Sequence, residues 1–239
     1  METLGLLDNR NLSLWDTLTS VQDIEIQKEK RVDYLVFSKN DKSIIYVPFD
    51  NINASSFTHE LLHIYLRTKQ VFIGAGLKNS IKENKVLSRI FSDKLLEHVG
   101  NSLDHIKMFP EFIRLGYSRD EFLSDFSVNK LTDESLSAIR KHFTAKRFFK
   151  KVYNSTAIDF FIGVYFAANA CPNESFDYKK QLIELKKIDS DLFQILDNFL
   201  NAWINFDYND TDPITSSYHT FLFQFVGDME NWTNGKTIK

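Results

Sequence analysis

Apolar positions along the chain follow two different periods. Residues 13–28 place Leu14, Leu18, Val21 and Ile24 on one side, which predicts a helix. The period then shortens. Residues 32–37 and 43–48 are rich in β-branched and aromatic side chains, and the polar turn 39–42 separates them, so the pair predicts a β-hairpin. Pro48 predicts that the second strand ends there or lies at a sheet edge. The polar cluster 51–56 is rich in capping residues and predicts the start of a helix over 55–69. Residues 71–76 form a short apolar piece that ends in a glycine turn at Gly74 and Gly76. Beyond it, three- and four-residue spacing predicts helices near 83–109, 111–116, 132–153, 156–171, 177–205 and 215–231, punctuated by Pro110, Pro172 and Pro213. The expected fold class is α+β with helix dominant: a small antiparallel sheet or hairpin, then a largely helical C-terminal region.

Composition narrows the picture. The 239 residues include 8 Gly and 4 Pro, too few for a collagen-like or linker-rich chain, and no internal repeat is visible. A net charge of −3 argues against a broad electrostatic footprint for nucleic acid. The single cysteine, Cys171, rules out an internal disulfide framework and a cysteine-rich zinc knuckle. The N-terminal residues carry Glu2, Asp8 and Arg10 and show no secretory apolar run. The most apolar stretch, 156–171, contains Asp159, Gly163 and Asn169 and is shorter than the roughly 20 residues a spanning helix needs. The expectation is therefore a cytoplasmic protein with no membrane and no nucleic-acid partner. The aromatic load of 22 Phe, 9 Tyr and 3 Trp points to core packing.

The string that carries chemistry is His59-Glu60-Leu61-Leu62-His63, an H-E-x-x-H pattern on the predicted 55–69 helix. Residues four apart on a helix share one face, so His59 and His63 can approach one zinc ion from adjacent turns. Glu60 points slightly aside, where it can accept a proton from water rather than bind the metal. The flanking Phe57, Leu61, Leu62, Ile64, Tyr65 and Leu66 would anchor the helix in a core.

A zinc hydrolase needs a third protein ligand. The next long helix offers Glu97, His98, Asp104 and His105. Its buried face is set by Leu95, Leu96, Val99, Leu103 and Ile106; Glu97 and Asp104 lie nearly opposite, while His98 and His105 lie at the border with Asn101 between them. His98 and His105 stand about 10 Å apart along the axis, so one metal cannot take both. His105 is preferred, because the helix is expected to end beyond it at Pro110 near a cleft and because Asn101 and Asp104 can orient it. Asp104, Glu97 and His98 stay open as alternatives. Four of the six histidines fall between residues 59 and 105, which favours a shared site over scattered surface residues.

The order of strand, strand and motif helix over about residues 32–110 resembles the zincin metallopeptidases, and the compact size is similar to the small intracellular zincins of the ImmA/IrrE-like group. The resemblance implies a zinc-dependent metallohydrolase core over 1–130, a peptidase acting on a peptide or protein substrate. A helical region, 131–239, would pack on that core or continue it. It also implies that an edge strand, here residues 43–47, aligns the substrate by strand addition. Neither the longer H-x-x-G-x-x-H continuation nor an N-E-x-x-S-D string is present, so no metzincin or thermolysin subgroup is implied. Two alternatives stand beside the peptidase: a non-catalytic zincin-like interaction protein that binds a partner through its C-terminal helices, and a zinc hydrolase of small amides. Tyr117, Tyr218 and His219 are further hydrogen-bond donors, each read as structural first; His142 sits on a basic helix face, and Cys171 reads as a small packing residue.

Overall fold

The computed structural model describes residues 5–147, 150–210 and 217–239. The elements in chain order are α1 (Leu12–Thr19), β1 (Asp23–Glu29), β2 (Leu35–Lys39), β3 (Lys42–Pro48), α2 (Ala54–Thr68), α3 (Ile73–Glu83), α4 (Leu87–Ile90) and α5 (Asp93–Arg114). After them come α6 (Asp133–His142), β4 (Thr144–Arg147), β5 (Lys150–Tyr153), α7 (Ser155–Asn169), α8 (Lys179–Lys186), α9 (Ser190–Asn205), α10 (His219–Thr233) and β6 (Thr237–Ile238). The fold is helix-dominant α+β with two small mixed sheets. No described helix is long and apolar enough to cross a membrane. The chain forms two compact units, one of residues 1–72 with 106–127 and one of 73–105 with 128–239.

In the first unit the sheet order is β1-β3-β2, with β3 parallel to β1 and antiparallel to β2. The hairpin forms as its side chains predict, but residues 23–28 are strand rather than helix. Ile24 and Ile26 alternate with Asp23, Glu25 and Gln27, and pairing with β3 outweighs the helical spacing that Leu14, Leu18 and Val21 suggested. This makes β3 central. The expectation that residues 43–47 are the edge strand is therefore overturned, and β2 and β1 are the edges. Ile45 and Val47 point to one face, where they join Leu6, Leu18, Phe57, Leu61 and Ile64 in the core.

The motif helix α2 starts where the polar cluster predicts. The Asn53 side chain accepts the backbone N–H groups of Ser55 (2.8 Å) and Ser56 (3.0 Å), which satisfies two otherwise orphaned donors. Its end is closed by the Val71 N–H on the Leu66 carbonyl at 3.0 Å, with Gln70 in the left-handed region at φ 59° where glycine is usual.

The second unit is built around aromatic side chains. Trp203 is fully buried and donates its Nε1–H to the Leu103 carbonyl at 2.8 Å, and Phe199 stacks on Phe225 with ring centroids 4.4 Å apart. Two expectations fail here, and a third fails where α5 continues into the first unit. Residues 73–83 are helical, so Gly74 and Gly76 form no loop. Gly74 instead lets α3 meet α5: a Cβ built on Gly100 would stand 3.0 Å from the Gly74 Cα. The helix expected over 132–153 stops at His142, and β4 and β5 follow as an antiparallel pair, with β6 parallel to β5. Short basic strands carry too few apolar residues to announce their period. Finally, α5 runs through Pro110 to Arg114 instead of ending. An internal proline costs one ladder hydrogen bond, and the flanking apolar residues Met108 and Phe112, both buried, hold the helix across it. Pro213 and the expected helix start at 215 lie outside the described residues.

Candidate metal centre

His59 and His63 sit one turn apart on α2, with ring centroids 5.2 Å apart and planes inclined at 64°. His105 comes from α5. One ligand atom from each of His59, His63 and His105 lies within 4.8 Å of the others, and all three residues are half-buried. Donors around a tetrahedral zinc ion stand about 3.4 Å apart when each bond is about 2.0–2.1 Å, a spacing compatible with that limit. Three imidazoles are also a donor set that suits zinc-type cations. By chemistry and spacing, the residues present fit the metal.

Electrostatics favour a neutral, ligating imidazole at His59. Burial pushes His59 down to about 3, aided by the neighbouring His63, while a hydrogen bond to the Phe122 backbone carbonyl acts weakly the other way. The Phe122 ring lies 4.9 Å from the His59 ring and is braced by Phe109 and Phe112, each 5.1 Å away. A carbonyl on one ring nitrogen fixes the tautomer and leaves the other nitrogen as a lone-pair donor.

A second brace works through Thr58, the residue before His59. Its hydroxyl accepts from Asn11 Nδ2 at 2.9 Å and lies 2.7 Å from the Ala54 carbonyl and 2.9 Å from the Tyr117 hydroxyl. Tyr117 stands under the Arg10 guanidinium, 3.9 Å from the ring centre, and Arg10 is paired with Asp8 at 2.6 Å. This buried network fixes the start of α2 against the N-terminal segment and the residues after α5. Tyr117 is thereby a brace.

Glu60 is buried beside the histidines and is not a member of the three-residue cluster. Burial raises its carboxyl above the usual range; His63, the Val36 backbone N–H and Arg31 partly offset that. The Val36 contact matters because Val36 belongs to edge strand β2.

The other residues singled out from sequence fall elsewhere. Glu97 is exposed and pairs with Lys78 at 3.7 Å. His98 is exposed, with Nε2 3.1 Å from the Gly163 carbonyl. Asp104 is half-buried on α5 and outside the cluster. Tyr218 is buried against Trp203 and Phe206, with the His219 ring 4.3 Å from it and tilted by 33°. His142 is exposed at the end of α6, and Cys171 lies 3.9 Å from the Tyr178 hydroxyl. Sequence reasoning did not find the Phe122 carbonyl or the Val36 N–H, because backbone groups leave no residue-type signal. No family model, curated protein or solved structure matches the chain.

Proposed function

We propose that the chain is a zinc-dependent metallohydrolase of the zincin type, a peptidase that cleaves amide bonds. The observation that carries this reading is the gathering of His59, His63 and His105 within 4.8 Å, with the carboxyl of Glu60 on the same helix left outside the set. The three imidazoles would hold the cation. When bound, a zinc-type ion supplies Lewis acidity toward a carbonyl and makes nearby water more acidic. Glu60 would take the proton of the attacking water and return it to the leaving amine. A carboxyl raised by burial suits that task, because a base works best when its pKa lies near the working pH. The Phe122 carbonyl keeps His59 in one tautomer, and the Thr58 network keeps α2 in place. The strand that would align the peptide is β2, since β3 is central.

The test is Glu60→Gln in zinc-loaded protein. Peptide hydrolysis should fall by about 10²- to 10⁴-fold, the range supplied by a positioned base, while zinc content by elemental analysis stays at wild type. His63→Ala should lose metal and turnover together. Wild-type hydrolysis rates in Glu60→Gln would refute the mechanism.

A further inference from the structure

The free edge of β2 has two unlike faces. Leu35 pairs with Tyr46 and Phe37 with Ile44, whereas Val36 pairs with Ile45. Side chains alternate along a strand, so Val36 and Ile45 face the core and Leu35, Phe37, Ile44 and Tyr46 share the outer face. On that outer face Leu35 is 46% and Phe37 55% exposed, unusually open for large apolar side chains on a strand. No strand covers the far side of β2 among the described residues. The Val36 N–H meets the Glu60 side chain, so it points away from β3. In an antiparallel strand the N–H and C=O of one residue point to the same side, so the Val36 C=O also faces outward, beside the N–H that Glu60 holds.

Building on the peptidase reading, we propose that this edge selects extended peptide segments with apolar side chains at the two positions flanking the residue that pairs with Val36. The residue opposite Val36 would turn its side chain inward, toward α2. Its two neighbours would turn outward and lie against Leu35 and Phe37. A peptide carbonyl pairing there would take the Val36 N–H now held by Glu60, so correct docking would also release the Glu60 carboxylate. Recognition would thus rest on backbone pairing for placement and on two apolar contacts for choice.

The experiment uses full-length, metal-free protein, so that binding is read apart from turnover. Two extended peptides are compared, one carrying Leu-Ala-Phe at its centre and one carrying Ser-Ala-Ser. Binding is followed by the Val36 backbone amide signal in NMR titrations. The apolar peptide should bind about tenfold tighter, the effect of partly covering one or two large side chains, and both peptides should shift the Val36 amide. Phe37→Ser, at an exposed position outside the centre, should level the two affinities without unfolding the protein, as judged by circular dichroism. Equal binding by wild type, or a preference untouched by Phe37→Ser, overturns the inference. If the preference holds but the zinc-loaded protein hydrolyses neither peptide, the edge stands and the peptidase reading falls. If zinc-loaded protein cleaves both peptides equally, depends on Glu60 and shows no binding preference, the peptidase stands and this inference falls.

Discussion

The two units handle polar groups in opposite ways. The first, which contains α2, buries Asn11, Ser43, Ser55, Thr58 and Glu60. The second, although larger, contributes only Ser102 and Thr233 to the buried polar residues among those described. It packs instead on Trp203, Phe199, Phe225, Phe166 and Tyr165. Buried polar groups cost free energy unless they are satisfied, and four of these five lie on α2 or bond to it, while Ser43 in the sheet bonds Gln22 and Ser38. Their concentration on the helix that carries His59 and His63 is what the proposed function would lead one to expect. The aromatic unit carries the complementary property, apolar burial with few polar conditions attached.

The contrast can be tested by perturbing each side. The largest effect is expected in the aromatic unit. Trp203→Ala removes a fully buried ring together with its hydrogen bond to the Leu103 carbonyl, and should cost about 3–5 kcal/mol in urea unfolding. A loss below about 1 kcal/mol would mean that this core is loosely packed and the contrast is false.

The next effect belongs to the polar unit and depends on pH. Folded His59 resists protonation down to about 3, whereas the unfolded chain takes that proton near 6.5. The unfolded state therefore binds more protons in between, and metal-free protein should lose stability as pH falls below about 6.5, at up to about 1.4 kcal/mol per pH unit from this residue. Glu60 acts with the opposite sign: its raised carboxyl lets the folded state bind the extra proton above its unfolded value. The comparison is therefore cleanest in a Glu60→Gln background. There, replacing His59 by Gln should flatten the slope between pH 7 and 5; an unchanged slope would assign it to other groups.

The smallest effect separates backbone packing from side-chain packing. Gly100→Ala gains about 1 kcal/mol of helix propensity. It must also fit a methyl 3.0 Å from the Gly74 Cα, where only backbone can yield. Overpacking of this kind costs about 1–3 kcal/mol, so thermal unfolding should show a net loss of about 1 kcal/mol. A gain would show that the two helices can separate freely.

Sequence patterns carried α2 well, because a capping asparagine, an apolar stripe and two histidines four apart all speak within fifteen residues of one helix. The β2–β3 hairpin was legible for a similar local reason. What failed was decided by distant partners. Ile24 and Ile26 satisfy a strand as readily as a helix end, and pairing with β3 settles the matter. Lys146 and Lys151 face each other across β4 and β5, a like-charge pair that no strand propensity would suggest. Pro110 reads as a stop because its missing N–H is local, whereas the packing that carries α5 past it is not. At the candidate centre, the spacing of His59 and His63 is written in the motif. The approach of His105 to them depends on where α5 lies, which no local spacing encodes.

The unlike edges of the first sheet have a consequence for how the protein behaves in a crowded solution. The β1 edge reads Asp23-Ile24-Glu25-Ile26-Gln27-Lys28-Glu29, and its alternating charges repel another strand. The β2 edge reads Leu35-Val36-Phe37-Ser38-Lys39 and carries only one charge, at its far end. Self-association should therefore start from β2 alone, and lysines placed at Leu35 and Phe37 should improve colloidal behaviour while blunting whatever that open edge is there to receive.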